Sequence, residues 1–144
     1  MTPAFEADAF QPDAKAQALL AGVEQAKADL TNAGGAYTLE QVCALLGDIS
    51  RQAVHNRVRE GALFSVKAPG GRVAFPTLQF TSEGPVEGLS ALVKAFPSKN
   101  RWMLLNFLVH SDDRLGNRRP IDVLKTGEVD LVVEAARTLG EHGA

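Results

Sequence analysis

His110, Asp112 and Asp113 stand close together in the chain, a base beside two acids that imitates a catalytic cluster. They follow the end of an apolar helix, where a histidine also suits the helix dipole, so they read as a solvated loop. The single cysteine, Cys43, has no base or orienting group suggested beside it and reads as a packed thiol. Histidines far apart and one cysteine give no metal-ligand spacing. Neither glycine loop that cradles phosphates, G-x-x-x-x-G-K-[ST] or G-x-G-x-x-G, occurs, and Pro69-Gly70-Gly71 is read as a hairpin turn. No cofactor, no metal and no enzymatic activity are expected. What remains is recognition chemistry. Arg51, Gln52, His55, Asn56 and Arg59 share the outer face of one expected helix. Arginine, glutamine and asparagine are the side chains that make bidentate contacts to guanine or adenine edges in the major groove. Lys67 and Arg72, near the tip of the hairpin, suit phosphate contacts, which position a protein on DNA without reading sequence.

The elements that must position these residues follow from caps and turns. Thr38 is an N-cap for a helix burying Leu39, Val42, Leu45 and Leu46, with Glu40 in its first turn. Gly47 stops that helix and Asp48-Ile49 makes the turn. Ser50, counted with the DNA-contacting set, caps a second helix running to about Glu60, with Gly61 as its C′ residue. Two short helices around a glycine turn have the spacing of a helix-turn-helix. The strand Leu63–Val66, the turn Lys67–Arg72 and the strand Val73–Pro76 then form a hairpin wing. A helical hairpin used only for packing is the alternative.

On either side lie two further regions. Residues 1–33 hold a loose arm, whose Phe5 and Phe10 have the alternative of docking on a partner subunit, and an alanine-rich helix from Pro12 to about Thr31. Its stripe Leu19, Leu20, Val23, Ala26 and Leu30 belongs to the core or to a dimer seam. Thr81–Pro85 is the domain boundary, separating the unit 34–80 from 86–144. The C-terminal unit opens with a helix over Val86–Phe96. Ser98 caps the next, which carries Trp102, Met103, Leu104, Leu105, Phe107, Leu108 and Val109 and is apolar almost all round, so it belongs in the middle. The loop after it turns at Gly116-Asn117 and starts a short helix at Pro120 that buries Ile121, Val123 and Leu124. Gly127 opens the last helix, with Leu131, Val132, Ala135 and Leu139 as its buried stripe. Gly140-Glu141-His142-Gly143-Ala144 is too glycine-rich to continue it and is expected to be a flexible tail.

Composition agrees with a globular chain of one or two small domains: 144 residues, 45% hydrophobic and 22% charged, with a net charge of −2. Residues 34–80 are the net-basic segment, with five basic residues against three acids, weak support for a phosphate-facing surface. One cysteine allows no intrachain disulfide and fits a reducing cytoplasm. Neither a signal peptide nor a membrane-spanning run is seen.

The longest ordered pattern is Trp102-Met103-Leu104-Leu105-Asn106-Phe107-Leu108, then Arg114-Leu115-Gly116-Asn117-Arg118-Arg119-Pro120-Ile121-Asp122-Val123-Leu124-Lys125-Thr126-Gly127-Glu128, then Asp130 through Ala136. It resembles the C-terminal toxin-binding domain of Xre/MbcA/ParS-type antitoxins over roughly the last third of the chain. Leu46-Gly47 and Ile49-Ser50-Arg51-Gln52-Ala53-Val54 also resemble the MerR-like or winged helix-turn-helix at the N-terminus of some ParS-type antitoxins, with Asp48 lengthening the turn by one residue. The resemblance implies a cytoplasmic, homodimeric type II antitoxin that autorepresses its operon by binding operator DNA. Its partner would be a RES-domain toxin that uses NAD, neutralised by occlusion. Arg114, Arg118, Arg119 and Glu128 would make charged contacts near the toxin's cleft, and Gly140, Glu141, His142, Gly143 and Ala144 would reach into it. A free-standing helix-turn-helix transcription regulator is the alternative. The fold expected throughout is mainly α: an N-terminal helix, a helix-turn-helix with a short β-hairpin wing, then a four-helix C-terminal domain.

Overall fold

Asp13 accepts the backbone N–H of Ala16 at 2.7 Å and starts the first helix, α1 (Ala14–Asn32). The structure is a computed structural model that describes residues 13–142, with side chains through Leu139; the expected arm with Phe5 and Phe10, and Pro12, lie outside the described residues. α1 packs on α5 (Arg101–Val109) chiefly through its last turns. Asp29 is 2% exposed there and Leu30 packs against the core, but Leu19, Leu20 and Val23 are 64%, 56% and 41% exposed. The expected apolar stripe is therefore buried only at its C-terminal end, because the helix outruns the surface it lies on.

After α1 comes β1 (Ala36–Tyr37), then α2 (Leu39–Leu45) and α3 (Arg51–Arg59). Thr38 caps α2 in a capping box whose second partner is Gln41. Gly47 and Asp48 both take positive φ, 94° and 58°, at the turn, and Ser50 caps α3. β2 (Val66–Lys67) and β3 (Val73–Pro76) form the expected wing, and β1 joins it on the far side, giving the antiparallel order β1-β3-β2 with Ala36 opposite Pro76 and Val66 opposite Ala74. Leu63, Phe64 and Ser65, expected as strand, are not. Both backbone groups of Phe64 bond to the buried side-chain amide of Gln79 instead of to a neighbouring strand.

A 3-10 turn at Thr77–Gln79 leads into a tight hairpin, β4 (Phe80–Thr81) and β5 (Gly84–Pro85), across the expected boundary. α4 (Leu89–Ala95) starts three residues later than the sequence suggests, because Gly88 sits at its N-cap with φ 85°. Asn100, not Ser98, caps α5 by accepting the Trp102 N–H at 3.0 Å, while Ser98 accepts from Asn100 itself. α6 (Pro120–Lys125) begins on Pro120, and α7 (Val129–His142) closes the chain's described part. The helix runs on through Gly140, Glu141 and His142, so the expected tail is helical over those residues; Gly143 and Ala144 lie outside the described residues. On α7 the buried positions are Val132, Ala135 and Ala136, whereas Leu131 is 44% exposed.

The expected mainly-α architecture is what the chain adopts, with two adjoining cores. Val42, Val54, Leu63 and Phe75 centre the smaller one beneath α2, α3 and the wing. The larger gathers Leu89, Leu92, Leu104, Leu105, Leu108, Ile121 and Val132 from α4 to α7, and takes in Phe64 and Ala33 as well. Among the described residues no helix is long and apolar enough to cross a membrane, and no group of His, Cys, Asp and Glu is arranged to hold a metal.

Candidate nucleic-acid interface

α3 is held from below by Val54, fully buried, with Val58 and Ile49 packed beside it. This leaves Arg51, Gln52, His55 and Arg59 exposed on the opposite face and Asn56 at its edge, half-buried. The exposed face is wired together. Asn56 Oδ1 accepts from Gln52 Nε2 at 3.0 Å and from Arg59 Nη1 at 3.0 Å. Three of the side chains able to read base edges thus stand in one hydrogen-bonded row along the helix. Asn56 spends its acceptor within the row, so contact with DNA would exchange these bonds for base edges.

Arg51 is engaged differently. Its Nη2 lies 2.9 Å from Glu40 Oε1 across the helix-turn-helix, with both side chains about two-thirds exposed. Such a pair contributes little to stability, but it places a carboxylate on the face that would meet phosphates. Glu40, expected only to favour the α2 dipole, is also the partner of Arg51. It lies in the first turn of α2, close enough to the start of α3 for Arg51 to reach it.

Lys67 and Arg72 are exposed at the wing, whose turn is closed by the bond from Ala68 N–H to Arg72 C=O at 2.9 Å. Ser50 is committed to capping, accepting the Ala53 N–H at 3.0 Å. Tyr37 on β1 stacks edge-on against Phe80 with ring centres 5.6 Å apart, which ties the wing sheet to the chain that leads into the helical unit. The eight residues read as DNA-contacting therefore fall on α3 with its N-cap and on the neighbouring wing; Ser50 is held by capping, Arg51 by Glu40, and Gln52, Asn56 and Arg59 by one another.

The other set, Arg114, Arg118, Arg119 and Glu128, is brought together as a lattice of internal pairs. Arg114 grips Asp112 with Nε and Nη2 at 2.8 and 2.6 Å and reaches Thr138 Oγ1 on α7 at 2.8 Å. Arg118 donates to the Leu115 carbonyl at 2.9 Å and to Glu128 at 3.0 Å. Arg119 forks onto Asp122 at 3.0 and 3.1 Å and touches the Asn32 carbonyl at the end of α1 at 3.2 Å. The bond to Arg114 holds the Asp112 carboxyl below its usual range, and Asp112 in turn raises the Arg114 guanidinium. Arg119 lowers Asp122 in the same way, and Glu128 is lowered by Thr126 first and Arg118 second. Arg114 thus ties the loop to α7, Arg118 to Glu128 just before α7, and Arg119 to α6 and the end of α1, while each side chain stays more than a third exposed.

His110 and Asp112 turn to separate partners. Asp112 is taken by Arg114, and His110 Nε2 lies 3.7 Å from Asp29 on α1. Asp29 also accepts from Gln25 at 2.8 Å and from Asn106 at 3.0 Å, and this polar seam joins α1 to α5.

No family model matches the chain, and no curated protein sequence does. Among solved structures it is similar to the protein Rv2175c, known from an NMR structure: 28% identity over 73% of this chain and 80% of that one, with a TM-score of 0.61.

Proposed function

We propose that this chain is a DNA-binding regulator of the winged helix-turn-helix kind, working in the cytoplasm. The observation that carries the reading is the exposed row Gln52–Asn56–Arg59 on α3, standing beside a wing that presents Lys67 and Arg72. Side chains of these types on a helix packed by its opposite face suit base-edge readout in the major groove, and the wing cations suit backbone contacts. The test is selection of duplexes from a randomised pool by the full chain. Enrichment of one motif supports the reading; a pool that stays random removes it.

A second reading, favoured by the four helices α4–α7 assembled around the arginine-rich loop, makes the regulator a type II antitoxin. In it the helical unit docks a RES-domain toxin and the α3 face represses the operon. Arg114, Arg118, Arg119 and Glu128 are paired within the chain and each keeps more than a third of its side chain exposed, so they can present charge to the toxin from these pairs. Contacts to the toxin would come from exposed faces of the helices. Co-expression with the product of the adjoining gene, and purification through a tag on this chain, tests it. A recovered complex with restored growth supports it, and a chain that comes out alone beside a harmless neighbour counts against it.

A further inference from the structure

The three side chains of the α3 row are unequal in what they leave free. Gln52 gives one N–H of Nε2 to Asn56 and keeps Oε1 and the other N–H. Arg59 gives Nη1 and keeps the N–H groups of Nε and Nη2. Asn56 carries both bonds on Oδ1 and is half-buried where Gln52 and Arg59 are exposed. Its side chain is also one carbon shorter than that of glutamine. A bidentate base contact needs two adjacent groups at once. Gln52 and Arg59 each have such a pair to offer, and Asn56 has one only when both its bonds are given up.

Given α3 as the DNA-contacting helix, the reading on which this rests, we infer that Gln52 and Arg59 are its two base readers. Gln52 reads an adenine, Arg59 reads a guanine three base-pair steps away, and Asn56 stands behind them and reads neither. Adenine sets an acceptor, N7, beside a donor, N6, and a carboxamide matches both. Guanine sets two acceptors, N7 and O6, side by side, and a guanidinium matches them with two N–H groups. Gln52 and Arg59 are seven residues apart. At ~1.5 Å per residue this is about 10.5 Å, close to two turns, so both stand on one face. Three base-pair steps of ~3.4 Å span about the same distance. Readers at both ends of a nine-residue helix also fix how it sits. It lies along the groove, with Val54 and Val58 holding its far side, and does not enter by its N-terminus alone. Arg51, which precedes Gln52, is turned aside to Glu40 and leaves the first turn's base contact to Gln52.

Motif selection from a randomised duplex pool, run in parallel for the full parent chain, Gln52→Ala, Asn56→Ala and Arg59→Ala, tests the assignment. The parent should select an A·T pair and a G·C pair three steps apart. Gln52→Ala should relax the A·T position alone and Arg59→Ala the G·C position alone, each by about tenfold in preference over the next base, in line with one bidentate contact. Asn56→Ala should change affinity for every duplex by one common factor and relax no position. Thermal melts matching the parent show that the variants are folded. Preferred pairs closer than two steps or farther than four overturn the assignment. So does an Asn56→Ala chain that relaxes a position between them. An Arg59→Ala chain that weakens all duplexes alike and lowers the salt dependence overturns it too, because Arg59 would then be a phosphate contact. In each of these cases a motif is still selected and α3 remains the DNA-contacting helix. A pool that stays random removes that reading and the assignment with it.

Discussion

Leu63 and Phe64 are neighbours in the chain and are buried in different cores, Leu63 under the helix-turn-helix and Phe64 among the C-terminal helices. Gln79 holds this crossing point, its side chain bonded to Phe64 N–H at 2.9 Å, Phe64 C=O at 2.8 Å and Pro76 C=O at 3.1 Å. The amide is fully buried, so nothing else could satisfy these backbone groups. Gln79→Leu should destabilise the chain by about 2–4 kcal/mol, the cost of leaving buried donors and acceptors unpaired. Urea denaturation checks this, and a loss below ~1 kcal/mol would mean that the crossing point relaxes to other partners.

Glu40 should restrain DNA binding. It neutralises Arg51 at 2.9 Å on the face that would meet phosphates. Glu40→Gln should raise affinity for duplex DNA roughly two- to fivefold at low salt, with the gain fading as salt rises. Fluorescence anisotropy at two ionic strengths would show it. Equal affinities would place Arg51 away from the DNA.

Acid should loosen the arginine-rich loop. The Asp112 carboxyl lies below its ordinary value because Arg114 bonds its charged form. A depressed carboxylate contributes stability above its unfolded pKa, about 3.9, and loses it as pH falls through the lower folded value. Stability should therefore decline below about pH 4, and Asp112→Asn should flatten that limb while costing about 1–2 kcal/mol at neutral pH. Arg114 is more than one-third exposed, which keeps the figure this small. Denaturation midpoints from pH 7 to 3 would decide; an unchanged acid limb in the variant would assign it to other carboxylates.

Gly88 should tolerate no side chain. Its φ is 85°, and a Cβ would sit 2.5 and 2.7 Å from the two methyl carbons of Val129. Gly88→Ala should cost about 2–4 kcal/mol through backbone strain and overpacking between α4 and α7. Combining it with Val129→Ala should recover part of the loss, and a double variant no better than the single one would leave strain alone as the cause.

Much of this was legible in the chain because it was local. Thr38, Ser50, Gly47, Gly61, Gly116 and Pro120 act within a turn or two of themselves, and each stands where its type predicts; Gly127, expected to open the last helix, instead ends α6 with φ 88°, and α7 begins at Val129. Burial of Leu104, Leu105 and Leu108 followed from an apolar helix. What escaped was non-local. β1 is two residues long and exists because β3 is there to pair with it. The partners of Arg51, Arg114 and Arg119 lie on other elements or are chosen among several nearby acids, so charge alone could not tell a docking surface from a clasp. Gln79 carries a signal, a lone amide inside the largely apolar run Phe75–Phe80. For α1, periodicity shows an apolar face but not what lies against it: Leu30 packs on the core while Leu19, Leu20 and Val23 stay exposed.

The central claim is that α3 reads DNA, and its most direct measurement is anisotropy of the selected duplex against the parent chain, Gln52→Ala and Arg59→Ala. Each substitution removes a side chain of the exposed row and touches no core residue. The account predicts a loss of about tenfold or more for each, in line with ~1–3 kcal/mol per bidentate contact, with melting temperatures unchanged. Parent-like affinity in both variants would contradict it and move the interface off α3.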